Sequence, residues 1–351
     1  MDRSLLSCAR TDPSAPRFLA HACAARIVLA TSERVSFLAA PMTTTTLGGP
    51  PPNLLIPGHR RLIRRLLHGG GLWPAVPAIV FLVIFLVLPM ATLLAFGFVT
   101  IERGRIVGDT LTLEHLIKAL NDDLVWRLMW RSLWVAVVSS LLTLALGYPV
   151  AYLFSQVRGL ARVLILVAVV SPLLTSALVR AYAWLVILGG RRGIVNQTLL
   201  SLGVIDEPLR ILNTDWAVLI GMTQIHLPFM ILPLLAVLAE RDRRLEEASE
   251  NLGASRTETF FRVTVPMSIP AIFAGLALVF AISYTNFIVP QLLGGGAYAT
   301  LAVQVYEQTV VVLDWTRGAV LAAILLATCF AFVLAIVAAG RQLARWAEVT
   351  R

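Results

Sequence analysis

Long apolar stretches dominate the chain and predict six helices that cross a membrane. Five of these stretches contain no Asp, Glu, Lys or Arg, and the third contains one arginine, Arg180. A spanning helix needs ~20 apolar residues, and in lipid its backbone polar groups must bond to one another. In chain order, the predicted spans are Trp73–Phe98, Ser132–Phe154, Val163–Leu188, Trp216–Ala239, Ile269–Leu293 and Ala319–Ala339.

Composition agrees with a bilayer as the solvent of most of the chain. Hydrophobic residues make up 58% of the 351 residues, and the mean hydropathy is +0.81. Charged residues make up 14%, whereas about 25% is usual for a soluble domain. Six charge-poor runs of this length exclude the core helices of an ordinary soluble protein. We therefore predict an all-α integral membrane protein.

The net charge of +9 is best explained by the loops between the spans. Loops on the cytoplasmic side of a membrane carry an excess of Lys and Arg. If the N-terminus is inside, the inner loops hold the larger share of arginines, including Arg241, Arg256 and Arg262 between spans four and five. We therefore expect both termini inside. The arginines are not interleaved with aromatics as in a nucleic-acid platform, so we expect no nucleic-acid partner.

Three regions follow from these patterns. Residues 1–71 are rich in turn formers and lack core periodicity, so we expect a variable, disordered cytoplasmic extension. Met42 is an alternative start, and residues 1–41 need not be native. Residues 72–345 form the predicted transmembrane domain, with an inner loop at 240–268, and residues 346–351 form a cytoplasmic tail.

The inner loop at 240–268 has the pattern of two short helices joined at a glycine. Leu245, Ala248 and Leu252 recur at helical spacing, and Gly253 then permits a left-handed cap. We expect a second short helix that Pro266 closes. Such an elbow could seat its charged flank in a partner and pack its apolar flank on the bundle, or it could be a solvated loop at the membrane surface. The residues alone leave both interpretations open.

The same loop resembles the signature of binding-protein-dependent ABC importer permeases. That signature is Glu-Ala-Ala, three residues, Gly, nine residues, Ile, one residue and Leu-Pro. The spacing matches throughout, and the departures, Ser249 for Ala, Val263 for Ile and Val265 for Leu, are conservative. At the other signature positions, this chain has Glu247, Ala248, Gly253 and Pro266.

The resemblance implies a fold, partners and a role for the loop. It implies a six-helix bundle like that of type I ABC importers, in the bacterial inner membrane, that catalyses no reaction itself. Residues 240–268 would couple the bundle to a cytoplasmic ATPase dimer that holds ATP and Mg, with Glu247 facing the ATPase and Gly253 at the turn. It further implies a second permease subunit, identical or homologous, an extracytoplasmic solute-binding protein, and no cofactor on this chain.

Two further segments resemble the spermidine/putrescine branch of that family. One is Ser171–Trp184 in the third span, and the other is Asn286–Gly295 at the end of the fifth. The whole resemblance covers residues 73–345. It implies a polyamine or a similar small organic solute as substrate, although an ABC permease for another solute class fits the same features.

Polar residues inside the spans are candidates for the solute path, because they are costly in lipid unless they face a cavity. Arg180 could instead snorkel to the surface, and Gln224 and His226 could be satisfied within the bundle. A polyamine would favour carboxylates, yet the six spans contain none. The predicted path residues are Arg180, Tyr182, Trp184, Tyr284, Asn286 and Gln291.

Two other classes of protein are alternatives to an ABC importer permease. An ion-coupled secondary transporter remains an alternative, although such carriers use acids within the membrane and this chain has none there. An enzyme is disfavoured, because His226 has no nearby acidic partner in the sequence and no Gly-x-Ser-x-Gly, His-Glu-x-x-His or phosphate-loop motif is present.

Overall fold

The computed structural model describes residues 76–98, 101–102, 105–106, 113–241, 244–296 and 298–349. The expectations for residues 1–71 and for the last two residues of the tail therefore lie outside the described part. Everything described below belongs to the unit Pro74–Arg351.

Helices account for nearly all of the described residues. Two strands of two residues each, β1 (Ile101–Glu102) and β2 (Arg105–Ile106), pair antiparallel. The α-helices are α1 (Val76–Leu82), α2 (Leu88–Ala95), α3 (Glu114–Leu120), α4 (Asp123–Gln156), α5 (Leu160–Val170), α6 (Ala177–Leu188), α7 (Ile194–Ser201), α8 (Asp215–Glu240), α9 (Arg244–Asn251), α10 (Arg256–Thr259), α11 (Val265–Thr285), α12 (Ile288–Leu293), α13 (Leu301–Tyr306) and α14 (Trp315–Val349).

The predicted spans correspond to helices of suitable length and hydropathy. Within the described ranges there are five such helices and one bent pair, which makes six if the pair crosses as one span. The straight spans are Val76–Phe98, Asp123–Gln156, Asp215–Glu240, Arg256–Thr285 and Trp315–Arg345. The first of these joins α1 to α2 through a π turn, and several spans extend beyond their predicted ends.

The third predicted span is broken rather than straight. α5 with its following turn and α6 meet at 99°, whereas one helix over Val163–Leu188 was expected. Pro172 lies in a 3₁₀ turn, Ser171–Leu174, which ends at Thr175, where the backbone is extended. Ser176 then caps α6 by accepting a hydrogen bond from the backbone N–H of Leu178 at 3.3 Å. Pro172 thus removes a helical hydrogen bond, and the Ser176 side chain supplies an acceptor at the start of α6.

The fifth span also differs from its prediction at both ends. It ends at Thr285 rather than Leu293, because Pro290 cannot donate to the carbonyl of Asn286. Instead, Asn286 leaves the helical conformation, and its side chain accepts from the N–H of Val289 at 3.1 Å to begin α12.

At its beginning, the fifth span is continuous with the second elbow helix. Pro266 was expected to close that helix, but α10 runs through a π turn at Phe260–Thr264 directly into α11. In the π turn, the N–H of Val265 donates to the carbonyl of Phe260. Pro266 lies in the first turn of α11, directly after the π turn. The chain therefore stays helical across this proline. The expectation of a separate second helix was therefore wrong.

The core of the bundle is α8, which packs along α4 and α11, while α11 also packs on α14. Of the most apolar 18 residues of α8, 67% are buried in the structure. The corresponding share for the span Val76–Phe98 is 0%. Met230 of α8 is fully buried between two glycines. A β-carbon would lie 3.2 Å from Met230 at Gly147 of α4 and 2.7 Å from it at Gly275 of α11. Small residues let membrane helices approach closely, so these glycines set the spacing of α8 to its neighbours.

Side-chain contacts define two ends of the bundle. At the end that carries α9 and α10, called the elbow end, Tyr148 of α4 meets Ser268 of α11 at 3.0 Å. At the opposite end, Asp122 before α4 meets Arg317 of α14 at 3.4 Å. The opposite end carries exposed tryptophans at the starts of three spans, Trp126, Trp130, Trp216 and Trp315. Exposed tryptophans collect where a membrane meets water, so they mark that boundary.

Candidate functional site

The elbow, defined as residues 244–260, turns sharply at Gly253. Its φ is +92°, the left-handed region that glycine enters without a side-chain clash. The N–H of Gly253 donates to the backbone carbonyl of Glu250 at 3.0 Å, and the N–H of Ala254 donates to the backbone carbonyl of Ser249 at 3.2 Å. These two bonds form a Schellman cap. Gly253 therefore has the conformation that the predicted left-handed cap requires.

The second arm of the elbow begins with a capping box. Ser255 accepts from the N–H of Glu258 at 3.3 Å, and the Glu258 side chain accepts from the N–H of Ser255 at 3.4 Å. Ser249, which departs from the family signature, lies 3.0 Å from Thr259 by their hydroxyl oxygens. This bond joins the two arms, so the turn is held from both sides of Gly253.

The exposed surface of the elbow is partly apolar. Of the two interpretations that the sequence left open, packing of Leu245, Ala248 and Leu252 on the bundle is not observed, because all three are exposed, and Leu252 is 90% exposed. Glu247 is also exposed on α9. The elbow therefore presents exposed apolar side chains to its surroundings, a surface that a partner could cover.

The face of the elbow that meets the bundle is polar and aromatic. The Arg241 guanidinium lies 2.8 Å from the Glu246 carboxylate, and Thr264 donates to the same carboxylate at 2.5 Å. Phe260 makes edge contacts with the rings of Tyr148 and Tyr152 on α4, with centroids 5.8 and 5.1 Å apart. These contacts hold the elbow against α4, α8 and α11.

The remaining signature residues lie where the elbow enters the bundle. Val263 is half-buried in the π turn, and Pro266 is half-buried in the first turn of α11. The structure therefore brings Glu247, Ala248, Ser249 and Gly253 together on the elbow. It leaves Val263 and Pro266 at its junction with the fifth span.

A polar cluster lies inside the bundle around α8. Arg180 of α6 donates to the carbonyl of Ile225 at 3.2 Å, and the indole of Trp184 donates to the side chain of Gln224 at 3.2 Å. Pro228 also leaves the carbonyl of Gln224 without its usual helical donor. Arg180 therefore turns toward α8.

His226 extends this cluster toward the break in the fifth span. The side chain is 1% exposed, and Nδ1 lies 2.9 Å from the hydroxyl of Ser283. Nε2 lies 3.5 Å from the side-chain nitrogen of Asn286, which also caps α12. His226 thus joins α8 to the residues at which α11 ends and α12 begins.

Not all predicted path residues belong to this cluster. Tyr284 is buried and bonds to Thr328 of α14 at 2.8 Å, so it faces α14. Tyr182 is 51% exposed on α6, and Gln291 is half-buried on α12. Arg180, Trp184 and Asn286 are therefore the three that the structure gathers around α8.

An apolar cleft of about 430 Å³ adjoins the cluster between α4, α5 and α8. Gln224 and Pro228 line it, together with Pro172 at the break between α5 and α6. Gln224 thus contacts both the cleft and Trp184. A solute in this cleft would meet mainly apolar side chains and one amide.

A second charged group lies at the opposite end. Arg131 of α4 lies 3.4 Å from Asp215 of α8, and its guanidinium stacks 3.8 Å from the ring centroid of Tyr298. Burial, followed by the nearby Asp215 carboxylate, raises the pKa of the Tyr298 hydroxyl above its ordinary value. Tyr298 therefore stays neutral, and the group ties the loop before α13 to two spans.

The residues that anchor the elbow were missed by sequence reasoning. Arg241 and Glu246 lie five positions apart across a helix end, which is not a helical pairing distance. Glu246 also looks equivalent to its neighbour Glu247 in the sequence. Only the placement of α8, α9 and α11 separates the anchored carboxylate from the exposed one.

The fold and the elbow define a multi-span helical transport component of a membrane. Residues 139–340 match the family described as binding-protein-dependent transport system inner membrane component. The chain belongs to this family. It is the membrane-spanning, non-catalytic permease subunit of an ABC importer, a multi-pass protein of the bacterial inner membrane. Family membership removes the secondary-transporter alternative.

Two curated relatives and one solved structure carry the comparison further. The spermidine/putrescine transport system permease protein PotB of Haemophilus influenzae is 35% identical, with 69% of this chain and 84% of that protein covered. PotB of Escherichia coli is 34% identical, with 68% and 86% covered. A bacterial alginate ABC transporter, solved with a pentasaccharide-bound periplasmic protein, matches with a TM-score of 0.61 at 18% identity, covering 81% of this chain and 97% of that one.

We predict that Asn286→Ala destabilises the protein by about 0.5–2 kcal/mol, because it removes the cap of α12 and a neighbour of His226. Thermal unfolding of the purified protein in detergent measures this. The adjacent exposed Thr285→Ala is the control and should unfold close to wild type. Equal effects of the two substitutions would show that the Asn286 contacts do not stabilise the break.

Proposed function

We propose that this permease lines part of a solute path and is driven by a separate cytoplasmic ATPase that binds the elbow. The exposed apolar side chains Leu245, Ala248 and Leu252 carry the proposal, since apolar side chains on a water-facing loop are best explained by a partner. The opposite face of the elbow is bonded to α4, α8 and α11. A push on α9 would therefore reach three helices of the bundle.

The proposed orientation places both termini and the elbow in the cytoplasm. The arginine-rich loop at the elbow supports it, as does the need for the elbow to reach a cytoplasmic ATPase. The opposite end, with its exposed tryptophans and the Arg131–Asp215 pair, would then face the periplasm.

The proposed complex contains more than this chain. An ATPase dimer would hold ATP and Mg, a second permease subunit would complete the path, and a solute-binding protein would deliver the solute outside. The alginate transporter of similar fold was solved in complex with a periplasmic protein, which supports the last of these. This chain would bind no cofactor.

The proposed solute is a polyamine or a similar small organic compound, and the PotB relatives support it. The polar side chains around α8 favour a solute of a different charge. The one ionic side chain among them is Arg180, a cation, and the apolar stretches Val163–Leu188, Trp216–Ala239 and Ile269–Leu293 contain no carboxylate. An anionic or neutral solute is therefore the second candidate.

We predict that Gly253→Asp abolishes transport while the chain still folds. A β-carbon at Gly253 would meet nothing within 4 Å inside the chain, so the added carboxylate acts on a partner at the turn. Uptake by cells and co-purification of the ATPase measure the effect.

Gly203→Asp is the matched control for this substitution. Gly203 also has a positive φ, +66°, with open space around it, but it lies after α7. Both variants place an aspartate at a positive φ with open space around it, and only the one at the elbow should lose transport. Normal uptake with Gly253→Asp would contradict the proposed docking.

A second prediction separates the two solute classes. If Arg180 faces the path of a polyamine, Arg180→Gln removes a like charge and lowers the KM for spermidine by about fivefold, ~1 kcal/mol. Labelled spermidine uptake measures this, with exposed Arg210→Gln as control. Absence of spermidine uptake by the wild type, with uptake of an anionic solute instead, would favour the second candidate.

A further inference from the structure

A buried ion pair lies at the base of the elbow. Arg241 follows directly after α8, and its side chain is 4% exposed, while that of Glu246 on α9 is 18% exposed. Nη1 of Arg241 and Oε1 of Glu246 are 2.8 Å apart. Charged side chains are rarely buried to this extent unless they are paired, so the pair fixes where α9 lies.

The Glu246 carboxylate is contacted from two spans of the bundle. Arg241 reaches it from the end of α8, and Thr264, 1% exposed, donates to it from the turn before α11. The Arg241 guanidinium also lies 5.2 Å from the ring centroid of Tyr152 on α4. One side chain of α9 is therefore tied to α8 and α11 directly, and to α4 through Arg241.

The attraction within the pair is electrostatic. No N–H of Arg241 is aligned for a hydrogen bond with a described residue, although the two charges are in contact. In surroundings with little water such an attraction is strong, and removal of one partner leaves an uncompensated charge. Replacement of both partners by apolar side chains of similar size removes that penalty.

The apolar side chains along α9 add no buried contact to this anchor. Leu245, Ala248 and Leu252 are exposed, and Ser249 bonds within the elbow to Thr259. A polar cleft of about 420 Å³ lies between the end of α4 and the elbow, lined by Tyr152, Glu246 and other residues. Without the anchor, α9 has room to move into this cleft.

We propose that Arg241 and Thr264 are positioning residues that, through Glu246, hold α9 rigidly on α8 and α11. This contact, called the latch, determines how much of a movement of α9 reaches the transmembrane helices. It rests on the proposed docking of an ATPase on the elbow. A weakened latch lets ATP hydrolysis continue while less solute moves per ATP.

The test uses the whole transporter with its ATPase, reconstituted in proteoliposomes. It measures solute transported per ATP hydrolysed for Glu246→Gln and Arg241→Met. We expect each variant to retain the ATPase and to lose at least about fivefold in that ratio, the lower end of ordinary coupling between sites. Glu207→Gln, an exposed acid in the loop after α7 and outside the elbow, is the control and should match wild type.

The double variant Arg241→Met/Glu246→Leu gives a readout that a simple loss of stability would not. If the pair acts as a unit, the double variant recovers transport per ATP relative to Glu246→Gln, because no charge is left unpaired. Additive losses in the double variant, or wild-type ratios in both single variants, would overturn the latch.

Failure of the latch and failure of the proposed function are distinguishable. If wild type transports solute with ATP and the latch variants behave like Glu207→Gln, only the latch is wrong. If wild type binds no ATPase, or transports without ATP, the proposed function itself fails and the latch fails with it.

Discussion

In hydrocarbon, a backbone N–H or C=O has no water to bond, and the spans of this permease depend on that constraint. Helices break only where side chains replace the lost bonds. Ser176 does so after Pro172, and Asn286 does so before Pro290. At Pro266 the chain uses a π turn instead and stays helical. The same constraint thus produces two breaks and one continuous junction.

We expect movement of the elbow to be transmitted, and the solute to pass, near these three sites. The junction at the π turn makes α10 and α11 one element, so the elbow is an extension of the fifth span rather than a separate piece. The break at Asn286 lies at the other end of the same span and contacts His226 of α8. Movement at the elbow could therefore reach the polar cluster along one helix.

The number and approximate position of the spans could be predicted from the sequence, because charge-poor stretches of sufficient length have few alternatives. The turn at Gly253 could also be predicted, because the spacing of the residues around it matches a family signature. The bend of 99° between α5 and α6 could not. A proline marks a weak point, but the angle depends on what the two halves pack against.

The orientation of α9 could not be predicted either, and the sequence left two interpretations open. Its leucines follow helical spacing, which usually marks a buried face, yet Leu252 is 90% exposed while Glu246 faces the bundle. The burial of Glu246 depends on Arg241 and Thr264, which come from other elements. Whether Arg180 faces the solute is likewise a question of packing, and Tyr284 proved to face α14.

The central claim is that an ATPase binds the elbow, and site-specific photo-crosslinking tests it most directly. A photoreactive amino acid at Leu252, which is 90% exposed, would be activated in intact cells. A second sample would carry it at Leu202, which is 69% exposed after α7. The account predicts that position 252 captures a chain with an ATP-binding phosphate loop and that position 202 does not. Capture of that chain from position 202, or from neither position, would contradict it.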